Sequence, residues 1–171
     1  MMHAFLSAAF LMFGALAPAF AQTATLPDLP AAIKPGDLKP YLALYAKGVQ
    51  IYVCRRADNA ARAWAFKAPE AELFDATGKS AGRHYGGPTW EADGGKVVGA
   101  LKASADAPTA DAIPWLWLDI KSRDGGGVLT QASGILRVAT VGGRAPAAGC
   151  DEAHDGAEQR VPYGAAYFFV K

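Results

Sequence analysis

The stretch Gly48-Val49-Gln50-Ile51-Tyr52-Val53-Cys54 (GVQIYVC) decides the fold. Val49, Ile51 and Val53 share one face at a period of two, and Gln50, Tyr52 and Cys54 share the other. That alternation is a strand. A polar turn follows at Arg55–Asn59, and Ala63–Ala68 (AWAFKA) reads as the hairpin partner. Ala71–Phe74 is a short apolar piece, closed by the turn Asp75–Lys79 (DATGK). The glycine of that turn tolerates a positive φ.

The pattern continues to the last residues. In GRHYGGPTWEA (Gly82–Ala92), Gly86, Gly87 and Pro88 interrupt two extended pieces that carry aromatics. Asp93-Gly94-Gly95 is a hairpin signal, with Lys96–Ala103 as the return strand. Ser104–Ala112 reads as a polar surface loop. Ile113–Lys121 (IPWLWLDIK) is apolar on both sides: Trp115 and Trp117 on one, Leu116, Leu118 and Ile120 on the other. Such a strand is buried on both faces. Val128–Val141 is a long β-prone run in which Gly134 is expected to mark a bulge. Gly142–Pro162 reads as a long loop holding Cys150, and Gly164–Val170 as the final strand. About eight or nine short strands at spacings near 8–12 residues predict a single-domain antiparallel β-sandwich or β-barrel.

The N-terminal end is different in kind. Met1–Ala21 has no Lys, Arg, Asp or Glu, and an apolar core runs from Ala4 to Ala17. It ends in Ala19-Phe20-Ala21, the small-x-small pattern of a signal-peptide cleavage site. Residues 1–21 are therefore expected to be a cleaved signal peptide. A retained anchor would need about 20 apolar residues, and Pro18 breaks this run short. Residues 22–46, with Pro27, Pro30, Pro35 and Pro40, read as an extended Pro-rich lead-in, and Asp37 is placed to cap one short helical turn toward Tyr45. Residues 47–171 form the all-β domain. The expected location is periplasmic or secreted, with no membrane anchor after cleavage.

Composition narrows the function. The 171 residues carry 17 Lys+Arg and 16 Asp+Glu, a net charge of +1, with 51% hydrophobic residues. Near-neutrality argues against nucleic acid as partner. The mature chain keeps two cysteines, Cys54 and Cys150. In an oxidising compartment a disulfide between them is the default.

The most function-like stretch is HYGGPTWE, His84–Glu91. One reading is a small-ligand pocket with Tyr85 and Trp90 as walls and His84 and Glu91 as polar contacts. The other is a tight hairpin whose aromatics pack the core. No metal site is expected, since only His84 and His154 accompany the acidic residues and no ligand spacing is present. No cofactor is expected either, because no phosphate-binding glycine fingerprint follows a strand into a helix. No catalytic residues are assigned. Glu70, Glu72, Glu91 and Asp119 would have to converge for a glycosidase-like hydrolase, the alternative function. Trp64, Trp90, Trp115 and Trp117 would supply stacking faces for a saccharide, though amides that read hydroxyl groups are scarce.

GVQIYVC, the Trp64-x-Phe66 step with Ala68-Pro69-Glu70-Ala71, HYGGPTWEADGG (His84–Gly95), AIPWLWL (Ala112–Leu118) and VPYGAAYFF (Val161–Phe169) occur in this order. Together they resemble the domain of unknown function family 3455, a family of exported bacterial and fungal proteins. The resemblance runs from about Lys47 to the end of the chain. It implies the Cys54–Cys150 pairing, because the family's two cysteines match these positions. It implies no catalytic residues, since the family has no assigned activity. Dehydrogenase labels on some fungal members find no physical support in this strand-only pattern. The expected function is a binding or structural role, with a small molecule or saccharide as the ligand.

Overall fold

A computed structural model describes residues 25–56 and 61–171. The signal peptide expected at 1–21 and most of the turn expected at Arg55–Asn59 lie outside the described residues. Eight antiparallel strands follow one another around a closed barrel, and the last returns to pair with the first. They are β1 (Pro40–Arg56), β2 (Arg62–Phe74), β3 (Ser80–Tyr85), β4 (Thr89–Ala92), β5 (Gly95–Ala105), β6 (Trp115–Gly125), β7 (Gly134–Gly142) and β8 (Glu158–Val170). The choice left open by the sequence, sandwich or barrel, is settled as a barrel.

Several strands are longer than the sequence pattern indicated. Strand β1 begins at Pro40, before GVQIYVC, and Leu42–Ala46 pair with Ala165–Phe169 of β8. No helical turn forms from Asp37 to Tyr45, because Leu44 and Ala46 are claimed by the barrel core. The pieces Ala63–Ala68 and Ala71–Phe74 are one strand, β2, running through Pro69. Proline lacks a donor there without penalty, since β3 pairs with β2 only from Ala71 onward. A bulge leaves Lys67 unpaired opposite the Ile51–Tyr52 step. The run Val128–Val141 divides into a short 3-10 turn, Val128–Gln131, and strand β7.

Period-two alternation then sorts side chains into two cores. The lumen holds Leu44, Trp90, Leu118, Ile135, Tyr167 and Phe169. A second cluster lies outside the barrel wall: Trp115, Trp117, Leu136, Val138 and Phe168. The lead-in covers it, with Ile33 fully buried and Leu26, Leu29 and Leu38 packed alongside. The strand apolar on both faces is thus buried on both, with its tryptophans outward under the lead-in and its leucines inward. Gly134 marks a close approach instead of a bulge: a Cβ there would lie 2.1 Å from Cη2 of Trp117. The register shift in this region falls between Val138 and Val141.

Cys54 and Cys150 form a disulfide with Cα atoms 5.3 Å apart. It ties the end of β1 to the loop before β8. Asp151, next to it, caps the 3-10 turn Glu152–His154 by accepting from the amides of Ala153 and His154.

Candidate functional site

The β3–β4 hairpin carries the HYGGPTWE stretch. Its turn needs glycine at position 87, where φ is 103°. Thr89 Oγ1 donates to the Gly86 carbonyl, and the Gly99 amide donates to the Pro88 carbonyl, fixing the turn against β5. His84 stands directly opposite Trp90, and Arg83 directly opposite Glu91.

This register divides the four sequence-predicted site residues between the two faces of the hairpin. His84 and Trp90 point into the lumen, 2% and 1% exposed. Tyr85 and Glu91 are on the outer face. There the Tyr85 hydroxyl donates to Glu91 Oε2 at 2.7 Å, and Arg83 Nη2 contacts both Glu91 oxygens at 3.0 and 3.1 Å. Those donors, Tyr85 first, hold the Glu91 carboxyl below the usual carboxylate range. Glu91 also borders an open surface depression with Glu72, Lys96 and Asp124, in which Lys96 is paired to Asp124.

Inside, the end of the lumen around His84 and Trp90 opens into a cavity of about 510 Å³. Every strand contributes to it. The walls are mainly apolar and aromatic: Trp90, Leu116, Leu118 and Tyr167, with Phe66 and Leu101 at the lip. These two lip residues are 52% and 64% exposed, so apolar surface stands at the mouth of the cavity. The strand irregularities at Lys67 and between Leu101 and Ala103 flank this opening. Bulges often re-aim side chains beside a site.

The polar groups in the cavity are few. His84 Nδ1 lies 2.8 Å from the Thr89 carbonyl, so Nδ1 carries the proton and Nε2 is an acceptor. Burial drives its pKa down to about 3, and Arg137 pushes the same way. The imidazole is therefore neutral at ordinary pH. The Tyr52 hydroxyl donates to the Gly143 carbonyl at 2.6 Å. Burial raises the pKa of Tyr52 and Tyr167, while the positive charge of Arg137 opposes the shift in both. Gln50 Nε2 and Trp90 Nε1 are buried without a hydrogen-bond partner among the described residues.

Sequence reasoning missed Gln50, Arg137 and Tyr167 as cavity residues. A signal was present. Gln50 is the amide in the apolar run GVQIYVC, and Arg137 the charge in GILRVATVG. Both fall on lumen-facing positions of otherwise apolar strands.

The other candidate sets remain apart from the cavity. Glu70 is paired with Arg160, Glu72 accepts from Ser80, and Asp119 is paired with Lys102. Neither these nor Glu91 lines the cavity. Trp115 and Trp117 are buried beneath the lead-in, and Trp64 Nε1 donates to the Ala148 carbonyl. Among the described residues, no three His, Cys, Asp or Glu side chains are placed to hold a metal ion. No helix among them is long and apolar enough to cross a membrane.

A family model described as Protein of unknown function (DUF3455) matches residues 35–171. No curated protein and no solved structure matches the chain.

Proposed function

This chain belongs to the family described as Protein of unknown function (DUF3455), and on that premise we propose that it is an exported barrel that binds a small apolar or aromatic molecule in its lumen. The observation that carries this reading is the cavity of about 510 Å³ at one end of the barrel. Its size falls within the roughly 300–1,000 Å³ of small-molecule sites. Its composition fits as well, with apolar and aromatic walls and a few convergent polar groups. The exposed Phe66 and Leu101 at the lip gain a purpose if they contact a ligand on entry. His84 and Trp90 are the ligand-facing members of the hairpin, while Tyr85 and Glu91 support it from outside. Export is favoured by the disulfide, which persists in oxidising compartments. A hydrolase reading lacks comparable support. A general acid needs a raised pKa, whereas Glu91 is held low by its donors.

The test is titration of the mature protein with phenylnaphthylamine, an uncharged aromatic dye whose emission rises in apolar sites. Saturable binding is expected, quenching or transferring energy from Trp90. Leu116→Trp, which places an indole in the cavity, should abolish it while leaving the far-ultraviolet dichroism intact. Absence of saturable binding to the unaltered protein, or unchanged binding to Leu116→Trp, would overturn the proposal.

A further inference from the structure

We infer that the lumen site selects an amphipathic anion, a compact carboxylate or similar oxyanion on an apolar body, and that Arg137 receives its charge. This deepens the binding function proposed above and rests on it.

The charges around the cavity do not balance. Among the described residues, Lys67 and Arg137 are the charged ones that line it, and no Asp or Glu does. Lys67 is already matched at the exterior, where its ammonium meets Glu158. Arg137 is not. Alternation along β7 sends Leu136 and Val138 to the outer core, so Ile135 and Arg137 point inward. The half-buried guanidinium donates from Nε and Nη2 to the Pro114 carbonyl at 3.1 and 2.8 Å, and it lies beside the Tyr167 hydroxyl, which burial keeps neutral. Among the described residues it makes no ion pair. A guanidinium carries five N–H donors in a planar fork suited to a carboxylate. A carbonyl and a neutral phenol leave N–H groups of that fork, and the whole of its charge, for an anionic acceptor. Charges withdrawn from water are ordinarily paired, so an uncompensated guanidinium at an apolar cavity implies a counterion supplied from outside the chain.

The second observation is independent of Arg137. Gln50 Nε2 and Trp90 Nε1 belong to side chains only 2% and 1% exposed, and neither makes a hydrogen bond of ordinary geometry among the described residues, although the Gln50 side chain lies beside the Tyr163 hydroxyl. Both residues line the same cavity. Both atoms are donors, as are the groups of Arg137. Buried donors without acceptors are rare in folded proteins, and several around one cavity specify an acceptor-rich guest. His84 does not supply the positive charge, because it is neutral and already donates from Nδ1 to Thr89. The apolar walls and the Phe66–Leu101 lip take the remainder of the molecule. Positively charged ligands are excluded by the same arrangement.

The experiment compares two dyes of similar aromatic body: anilinonaphthalene sulfonate, which is anionic, and phenylnaphthylamine, which is neutral. The unaltered mature protein is expected to bind the sulfonate about tenfold or more tightly than the neutral dye, as one charge-assisted hydrogen bond would provide. Arg137→Met should bring the ratio of the two dye affinities close to one. Arg137→Lys should restore part of the preference. A measurement that needs no variant accompanies it: dodecanoate should displace phenylnaphthylamine at concentrations at least about tenfold below those needed for dodecanol. Equal displacement by acid and alcohol, or a sulfonate preference that survives in a folded Arg137→Met, would overturn the inference while leaving the binding function standing. Failure of both dyes to bind the unaltered protein would instead remove the binding function itself.

Discussion

The imidazole of His84 lies on the indole of Trp90, with ring centroids 4.3 Å apart and planes within 19° of each other. Tyr167 closes against both, at 5.0 and 5.2 Å. Among the described residues no carboxylate stands there to receive a protonated ring, and burial together with Arg137 holds the His84 pKa down to about 3. In the unfolded chain a histidine takes up a proton near pH 6.5. Below that value the unfolded state binds a proton that the folded state does not, so stability falls as pH falls toward about 3. The slope from His84 is about 1.4 kcal/mol per pH unit. Urea midpoints between pH 7 and pH 4.5 should show it, and His84→Phe should flatten it. Equal slopes in the two proteins would refute this account. The acidic groups held low, such as Glu91 and Asp151, lose their contribution at lower pH, beneath this window.

Gly134→Ala is expected to destabilise the protein by about 1–3 kcal/mol, the usual range for overpacking. Its Cβ would meet the Trp117 ring at 2.1 Å, so the ring or the strand must shift to admit it. Gly126→Ala is the control, because nothing lies within 4 Å of a Cβ there and its φ is not positive. It should change stability by less than about 0.5 kcal/mol. Chemical denaturation of the two variants gives the comparison.

Ile33→Ala should cost about 2–5 kcal/mol, as expected for truncation of a fully buried isoleucine. Ile33 holds the lead-in over Trp115 and Trp117 on the outer wall, so tryptophan emission should shift to the red as those rings meet water. Dye binding in the lumen should be unchanged, since the outer cluster and the cavity lie on opposite faces of the wall. A fall in dye affinity without a fall in stability would contradict that separation.

Replacing both cysteines by serine should lower stability by about 4–5 kcal/mol on the loop-entropy account. Cys54 and Cys150 are 96 positions apart, so the bridge restricts most of the unfolded chain. Thiol titration of the denatured, unreduced protein should find no reactive sulfhydryl. Two reactive groups would contradict the bridge.

Gln50→Met should leave stability within about 1 kcal/mol of the unaltered protein, or raise it, because it removes a buried amide donor that makes no hydrogen bond of ordinary geometry among the described residues. The same change should weaken the sulfonate dye several-fold. A large loss of stability would mean that the amide serves the fold, against the role assigned to it.

Much of this architecture was legible in the residues, and the reasons are specific. Trp115, Trp117, Leu116 and Leu118 announce a wall buried on both sides, because period two leaves no polar face. GVQIYVC announces a strand, but not which face turns inward. The inward face is the one bearing Gln50 and Tyr52, since it continues the row begun by Leu44 and Ala46. The hairpin at His84–Glu91 was visible as a place of interest, yet adjacent residues of a strand point to opposite sides. His84 and Trp90 were therefore destined for one environment and Tyr85 and Glu91 for another. Arg137 escaped notice because a lone charge in a strand reads as solvent-facing until the neighbours on both sides are known.

Closure of the sheet has a consequence for how this molecule meets other proteins. With β8 hydrogen-bonded to β1 the sheet closes, but β2 before Ala71 and β5 beyond Val98 have a neighbouring strand on one side alone. Where β6 runs past the end of its pairing with β7, Arg123 reaches across to the carbonyls of Thr130 and Ala132. Partners that recognise a β-protein by adding a strand of their own find a template only along such one-sided stretches, and the doubly paired part of the wall offers them none. Over that doubly paired wall, specificity toward a macromolecule is written in convex side chains, leaving the concave interior to chemistry of small dimensions.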